Sequence, residues 1–225
     1  MARPLEFASE DRLIERLVAF RAKLPEWFDF DDLKSREYVI QHCVGRSTFR
    51  ALHGTPPSEI FRDWGKKSLD TWLGTRTLDR LSTQIAYDDW VRRESRKLRS
   101  YWKRQSKTPI SFAHRRKLVD LLMKEVARLQ ELDKPVRKRL IRWLHVPLDT
   151  YSLAAIRNCN ELPFKITKSA SMGFVRNRTA YDALQKTVGR VARRARVSPI
   201  MLDILLWNGP HRKARMRSHP KIGPG

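Results

Sequence analysis

Residues 131–156 read ELDKPVRKRLIRWLHVPLDTYSLAAI, and this stretch decides the expected fold. Pro135 follows a polar turn and suits the first position of a helix whose apolar residues recur at helical spacing. The Val146-Pro147 pair ends that helix, and Asp149 stands where a second helix begins. The outward face of the first helix is expected to carry Arg137, Lys138, Arg139 and Arg142.

Outward from this stretch, helical spacing continues through most of the chain. Capping residues and apolar residues three or four apart predict helices, strand patterns are nearly absent, and the predicted class is all-α. The predicted helices cover residues 9–23, 33–52, 58–64, 77–103 (one helix or two joined), 111–129, 135–146, 151–159, 179–196 and 198–207. We divide the chain into a helical N-terminal part (1–107), a second helical part (108–207) and a basic flexible tail (208–225).

Composition excludes several classes of protein. Hydrophobic residues make up 41% of the 225 residues, which is enough for a continuous core. The two cysteines, Cys43 and Cys159, are too few for a disulfide framework or a four-ligand zinc site, and the histidines show no metal-ligand spacing. We therefore expect no metal and no cofactor.

The chain carries no stretch typical of membrane insertion or secretion. No apolar run approaches the length of a membrane span, and the N-terminus has charges where a signal peptide has its apolar stretch. We expect an intracellular protein of the cytoplasm or nucleoid, or of the nucleus if eukaryotic, with no membrane partner. No obligate protein partner is evident.

Positive charge is the strongest compositional signal. The chain has 47 Lys and Arg against 24 Asp and Glu, a formal net charge of +23, and a polyanion such as DNA would relieve the resulting self-repulsion. A solvated helix surface is the alternative interpretation of such charge runs. The residues expected to contact the DNA backbone are Arg92, Arg93, Arg96, Lys97, Arg99, Lys103, Arg104, Arg137, Lys138, Arg139, Arg142, Arg193 and Arg194.

Two segments of the second part resemble a known family. The turn, basic helix, VPLD connection and following helix resemble the helix-hairpin-helix superfamily of DNA glycosylases. Residues 181–207, YDALQKTVGRVARRARVSPIMLDILLW, resemble the end of the archaeal-type 8-oxoguanine DNA glycosylases, where Leu202, Asp203 and Trp207 match a Leu-Asp-x-x-x-Trp ending. The resemblance covers about a third of the chain and implies a helix-hairpin-helix glycosylase-like fold there.

The resemblance implies roles for single residues. Asp149 would stabilise the positive charge that develops on the sugar as the glycosidic bond breaks, and would orient a water; capping the following helix is its other interpretation. Bifunctional family members add a lysine that attacks the anomeric carbon, for which Lys134 occupies the matching turn and Lys138 is the alternative. Contact with a phosphate is the other role open to that lysine. Candidates for the base pocket are Trp143, Asp203 and Trp207.

The turn departs from the family pattern. Leu132-Asp133-Lys134-Pro135 has no glycine, and proline offers no N–H to a phosphate. Either side chains of Lys134, Arg137 and Lys138 replace the backbone contact, or the resemblance ends at the base pocket.

The favoured hypothesis is a DNA glycosylase that flips a damaged or modified base out of duplex DNA and cleaves its N-glycosidic bond. Associated AP-lyase activity, the target base, and the choice between base excision repair and defence against modified foreign DNA stay open. The alternative is a non-enzymatic helical protein that binds nucleic acid. A nuclease is less favoured because no carboxylates cluster at metal-ligand spacing.

Overall fold

The computed structural model describes residues 4–21, 33–49, 52 and 56–207. These residues contain helices and no strand, so the predicted all-α class is confirmed for this part of the chain. The α-helices are α1 (Glu10–Phe20), α2 (Arg36–His42), α3 (Pro57–Gly74), α4 (Thr77–Arg80), α5 (Gln84–Gln105), α6 (Phe112–Val126), α7 (Lys134–Trp143), α8 (Thr150–Ile156), α9 (Arg178–Arg194) and α10 (201–207). Two 3-10 turns cover Arg46–Phe49 and Met172–Phe174.

Most helices begin at a side-chain cap that the local sequence supplies. In each case a side-chain oxygen accepts the N–H three residues further on, which satisfies a backbone donor that the helix leaves unpaired. The caps of α1, α2, α5, α6 and α9 are Ser9, Ser35, Thr83, Ser111 and Asn177. Pro135 is the second residue of α7, one position later than predicted, and lies in its first turn.

Two predicted helices differ from the structure, and for a third the structure decides between two predicted alternatives. Helix α3 continues to Gly74 instead of ending near residue 64, because Leu69 and Trp72 extend its buried face past the Lys66-Lys67 pair. The helix predicted over 33–52 is α2 followed by a 3-10 turn. Residues 77–103 form two helices, which was one of the two alternatives.

Two other sequence predictions lie outside the described residues. They are residues 22–23, the last two residues of the first predicted helix, and the flexible tail 208–225. Among the described helices, none combines the length and the apolar content needed to cross a bilayer.

Buried apolar side chains form one cluster that extends from Leu13 to Leu206. Helix α6 packs against α5, α2 and the Met172–Phe174 turn, and it buries Leu118, Val119, Leu122 and Met123. Each fully buried leucine contributes roughly 1.5–3 kcal/mol relative to an exposed one. Helix α6 is therefore held firmly on its apolar face, while its remaining face is available to carry polar side chains.

The N-terminal helix α1 packs against α9 and α8. Glu10 is only 3% exposed, and its carboxylate forms ion pairs with Arg190 at 2.6 Å and Arg194 at 2.7 Å. These ion pairs join the two ends of the described chain.

Candidate active site

Asp149 caps α8. Its Oδ1 accepts the backbone N–H groups of Tyr151 at 3.0 Å and Ser152 at 3.1 Å, and its own N–H donates to Ser152 Oγ at 2.7 Å. This reciprocal pattern is a capping box. The capping interpretation of Asp149 is confirmed, and the carboxylate is held in one orientation at 6% exposure.

The second oxygen of Asp149 meets a lysine that the sequence did not single out. Lys117 of α6 places Nζ 3.0 Å from Asp149 Oδ2, and the two side chains are 12% and 9% exposed. Gln185 of α9 holds the segment that precedes Asp149. Its side-chain amide donates to the Val146 carbonyl at 2.7 Å and accepts the Val146 N–H at 3.1 Å. The pair is thus positioned by three elements and largely withdrawn from water, where charge interactions are stronger.

Lys134, the predicted lysine, lies elsewhere. It is exposed at the first position of α7, and Lys138 is exposed one turn later. Helix α7 has ten residues and spans about 15 Å, so Lys134 stands at the end far from the connection to Asp149. Lys117, and not the predicted turn lysine, is the lysine that the structure places 3.0 Å from Asp149 Oδ2.

The predicted outward face of α7 is wrong at Arg137. This residue is 7% exposed, and its Nη1 donates to the Leu132 carbonyl at 2.7 Å. A buried guanidinium must find acceptors, and the carbonyl at the preceding turn is one within reach. Arg137 therefore braces the turn instead of facing solvent. Arg139 is half-buried and donates to the Asp79 carbonyl at 3.1 Å, whereas Arg142 is exposed.

A second lysine–aspartate pair lies on the same face of α6. Lys124 places Nζ 2.7 Å from Asp203 Oδ2, and Asp203 is 2% exposed. Burial lowers the pKa of Lys124, but the attraction and hydrogen bond of Asp203 outweigh it, so the pKa is raised and Lys124 stays an ammonium ion. Because Lys117 and Lys124 are two helical turns apart, about 10 Å separates their positions on α6.

Trp207 joins this group. It follows Asp203 by one turn of α10, and its ring centroid lies 5.2 Å from that of Tyr151, whose N–H is bonded to Asp149. The structure thus brings three predicted residues, Asp149, Asp203 and Trp207, around the lysine face of α6. Leu121, half-buried between the two lysines, adds an apolar surface there.

Trp143, the third base-pocket candidate, is separate from this group. Its ring lies 6.2 Å from that of Tyr87, and it lines a cleft between α5, α7 and α9. Asp149, Asp203 and Trp207 do not line that cleft.

Helix α5 carries a strongly basic outer face. Its inner face buries Trp90, Leu98 and Trp102 together with Val91, Glu94 and Ser95. The exposed cations on α5 are Arg93, Arg96, Lys97, Arg99, Lys103 and Arg104, while Arg92 is half-buried. Burial, Arg99 and other neighbouring guanidinium groups lower the pKa of Arg115 on α6, which places it beside this face.

Two further arginines that were predicted to contact DNA phosphates lie at the end of α9. Arg193 is exposed, whereas Arg194 bonds to Glu10 at 2.7 Å and to Asp11 at 2.8 Å. The charge of Arg194 is therefore already compensated within the chain.

No family model, curated protein or solved structure matches this chain. The candidate site is therefore defined by the contacts described above.

Sequence reasoning missed Lys117 and Lys124. Lys117 ends the run His114-Arg115-Arg116-Lys117, which is typical of a solvated helix surface. The available signal was the seven-residue spacing of the two lysines, because residues seven apart share a helix face.

His114 lies one turn before Lys117 on α6. Its Nδ1 is 2.7 Å from Ser111 Oγ, and its Nε2 is buried without a partner in the described chain. Burial and the charge of Lys117 lower the pKa of His114 below 6.5. The imidazole therefore stays neutral in the folded chain at a pH where the unfolded chain protonates it.

This difference predicts a loss of stability on mild acidification. Between pH 6.5 and the lowered pKa of the folded state, the unfolded chain binds more protons at His114 than the folded chain does. The free energy of unfolding therefore decreases as the pH is lowered through this range. Urea denaturation between pH 7 and 5 should show a shallower fall for His114→Gln than for the wild type. Equal slopes for the two proteins would contradict the prediction.

Proposed function

We propose that this chain is a DNA glycosylase whose reaction takes place at Lys117 and Asp149. The observation that carries the proposal is the 3.0 Å contact between Lys117 Nζ and Asp149 Oδ2, made by two largely buried side chains. A lysine beside a fixed carboxylate combines a nucleophile with a group that can take its proton.

The chemistry at the sugar can be written through these two residues. Lys117 Nζ passes a proton to Asp149 Oδ2, and the free amine attacks C1′ of the flipped nucleotide. The N–C1′ bond forms while the glycosidic bond breaks, and the electron pair of the glycosidic bond leaves with the base. As that bond lengthens, Asp149 passes the proton on to the departing base and so regains its negative charge. The adduct then opens: the C1′–O4′ bond breaks, O4′ takes the proton that the attached nitrogen gives up, and the nitrogen electron pair forms the C1′=N bond of a Schiff base, from which AP-lyase cleavage of the strand proceeds.

Asp149 has a second part in this scheme. As the glycosidic bond lengthens, positive charge develops on the sugar, and a carboxylate in a site of low dielectric stabilises it strongly. The capping box holds that carboxylate in place before the substrate arrives. In a purely hydrolytic variant of the reaction, Asp149 would orient a water, and Lys117 would remain an ammonium ion.

The surroundings fit a base. Trp207 and Tyr151 offer aromatic faces on which a flat heterocycle can stack, and the Lys124–Asp203 pair offers a donor and an acceptor for its polar edge. Oxidised guanine is the base implied by the family resemblance. A different damaged base, or a bulky modified base in foreign DNA, is equally compatible with these contacts.

The basic outer face of α5 supports binding to duplex DNA. Of the six exposed cations on α5, Lys97 already pairs with Glu94 at 2.7 Å. The other five can neutralise several phosphates, which makes affinity fall steeply with salt and carries no sequence information.

One observation favours the non-enzymatic alternative. Both oxygens of Asp149 already have partners within the chain, so capping and ion pairing are a complete structural role for this residue. A helical nucleic-acid-binding protein would need nothing more from it.

A panel of duplexes separates the two functions. Each duplex carries one altered base, such as 8-oxoguanine, uracil, a methylated purine or a glucosylated cytosine, and hot alkali then cleaves any abasic site. We expect cleavage of at least one duplex by the wild type and none by Lys117→Gln/Asp149→Asn. Tight binding to every duplex without cleavage would reject the glycosylase and support the alternative.

A further inference from the structure

A cleft of about 970 Å³ opens between the start of α5, the end of α7, and α9 with the following residues 196–199. Lys117, Asp149, Lys124 and Asp203 do not line it, so it is distinct from the candidate active site. Seven of its lining residues are Lys or Arg, against two aspartates. A concave surface with such an excess of one charge concentrates the electrostatic field.

The cations at the rim come from different elements. Arg142 lies in the last turn of α7, Lys186 and Arg193 lie on α9, and all three are exposed. In the part of the chain that the structure describes, no carboxylate pairs with any of the three. Their mutual repulsion is therefore uncompensated, and an anion in the cleft would relieve it.

Among the residues that line the cleft is a buried arginine, Arg116, whose guanidinium lies 4.2 Å from the Tyr181 ring centroid and keeps unused donors. Arg116 is 3% exposed, and its Nη2 donates to His145 Nδ1 at 3.1 Å. Its Nε and Nη1 are buried and have no hydrogen-bond partner among the described residues. Asp120 is the nearest carboxylate, but its Oδ1 lies 3.8 Å from Nη2. Leaving buried guanidinium donors unpaired is costly, and an anionic oxygen would satisfy them.

Apolar surface lies beside these charges. Ile85 is 73% exposed on the cleft wall, although large aliphatic side chains are usually covered, and half-buried Trp143 lines the same wall. Flat apolar surface next to phosphate donors suits a nucleotide better than a bare phosphate ion.

We propose that this cleft binds a phosphorylated nucleotide, with the phosphate directed to Arg116 and the rim cations and the base against Ile85 and Trp143. The nucleotide is either free or part of a single strand, since both present the same chemistry. This proposal does not rest on base excision, because it uses neither Lys117 nor Asp149. It gives Trp143, Arg142 and Arg193, which the sequence assigned to the base pocket or to the DNA backbone, to the nucleotide in this cleft instead.

Calorimetric titration of the full chain tests whether the cleft binds a nucleotide. The four probes are deoxyadenosine 5′-monophosphate, deoxyadenosine, inorganic phosphate and a single-stranded hexadeoxynucleotide. We expect the monophosphate or the hexanucleotide to bind, and the unphosphorylated nucleoside to show no measurable binding. The test variant is Arg142→Gln/Lys186→Gln/Arg193→Gln, whose exposed positions preserve the fold. Its affinity should fall about tenfold or more.

The control variant removes the same charge elsewhere. Arg16→Gln/Lys66→Gln/Lys168→Gln replaces three exposed cations that do not line the cleft and should bind as the wild type does. If the wild type binds the monophosphate and the test variant binds it more weakly, the ligand of the cleft is a free nucleotide. If only binding of the hexanucleotide weakens in the test variant, the ligand is a single strand. Three results would overturn the proposal. Neither the monophosphate nor the hexanucleotide binds; deoxyadenosine or inorganic phosphate binds as tightly as the monophosphate; or the test and control variants lose the same amount of affinity.

Discussion

Borohydride added during base excision is expected to link the wild-type chain covalently to DNA and to leave Lys117→Gln unlinked. Attack by Lys117 Nζ on C1′ leads to a Schiff base, which borohydride reduces to a stable amine. Glutamine at this position can still donate a hydrogen bond to Asp149 but has no nucleophilic amine. Single-turnover excision should fall by at least about 100-fold in the same variant.

Lys134→Gln is the matched control. It makes the same change at an exposed lysine at the start of α7, and it should retain both the adduct and the excision rate. Loss of the adduct in Lys134→Gln with its retention in Lys117→Gln would favour the turn lysine that the family resemblance implied. Excision by the wild type without any adduct would instead assign the reaction to a water oriented by Asp149.

Asp149→Asn is expected to lower excision by about 100- to 10,000-fold, while binding to DNA changes little. The substitution removes the charge that would accept the lysine proton and stabilise the sugar. It retains an oxygen that can accept the N–H groups of Tyr151 and Ser152, and asparagine caps helices as well as aspartate does. The rate is measured by alkaline cleavage of an end-labelled duplex, and the fold by thermal unfolding.

Asp133→Asn makes the same change at the neighbouring helix. Asp133 stands at the N-cap position of α7, and its exposed side chain makes no capping hydrogen bond. Excision should therefore be unchanged in this variant. Full excision by Asp149→Asn would show that another carboxylate serves the reaction, and Asp203 is then the next to replace.

The features predicted correctly from sequence are those set by neighbouring residues. The all-α class follows from apolar residues at helical spacing, and the start of α6 follows from Ser111, whose hydroxyl accepts an N–H three residues away. The cap at Asp149 follows for the same reason, since its oxygens are within reach of the next turn, whereas its catalytic role was implied by the family resemblance and stays a prediction. Helix lengths were less predictable: α3 continues past two lysines because the core covers Leu69 and Trp72.

The sequence by itself determined the helical class, the caps and the excess of positive charge, because these depend on composition and on contacts within one helical turn. Only the tertiary structure decided which cations face inward and what they meet. Arg137 turns to the Leu132 carbonyl, and Lys117 reaches Asp149 across 32 positions of the chain. Such pairings depend on how α6 and the connection before α8 pack together, and no local pattern distinguishes a lysine bound there from one in solvent.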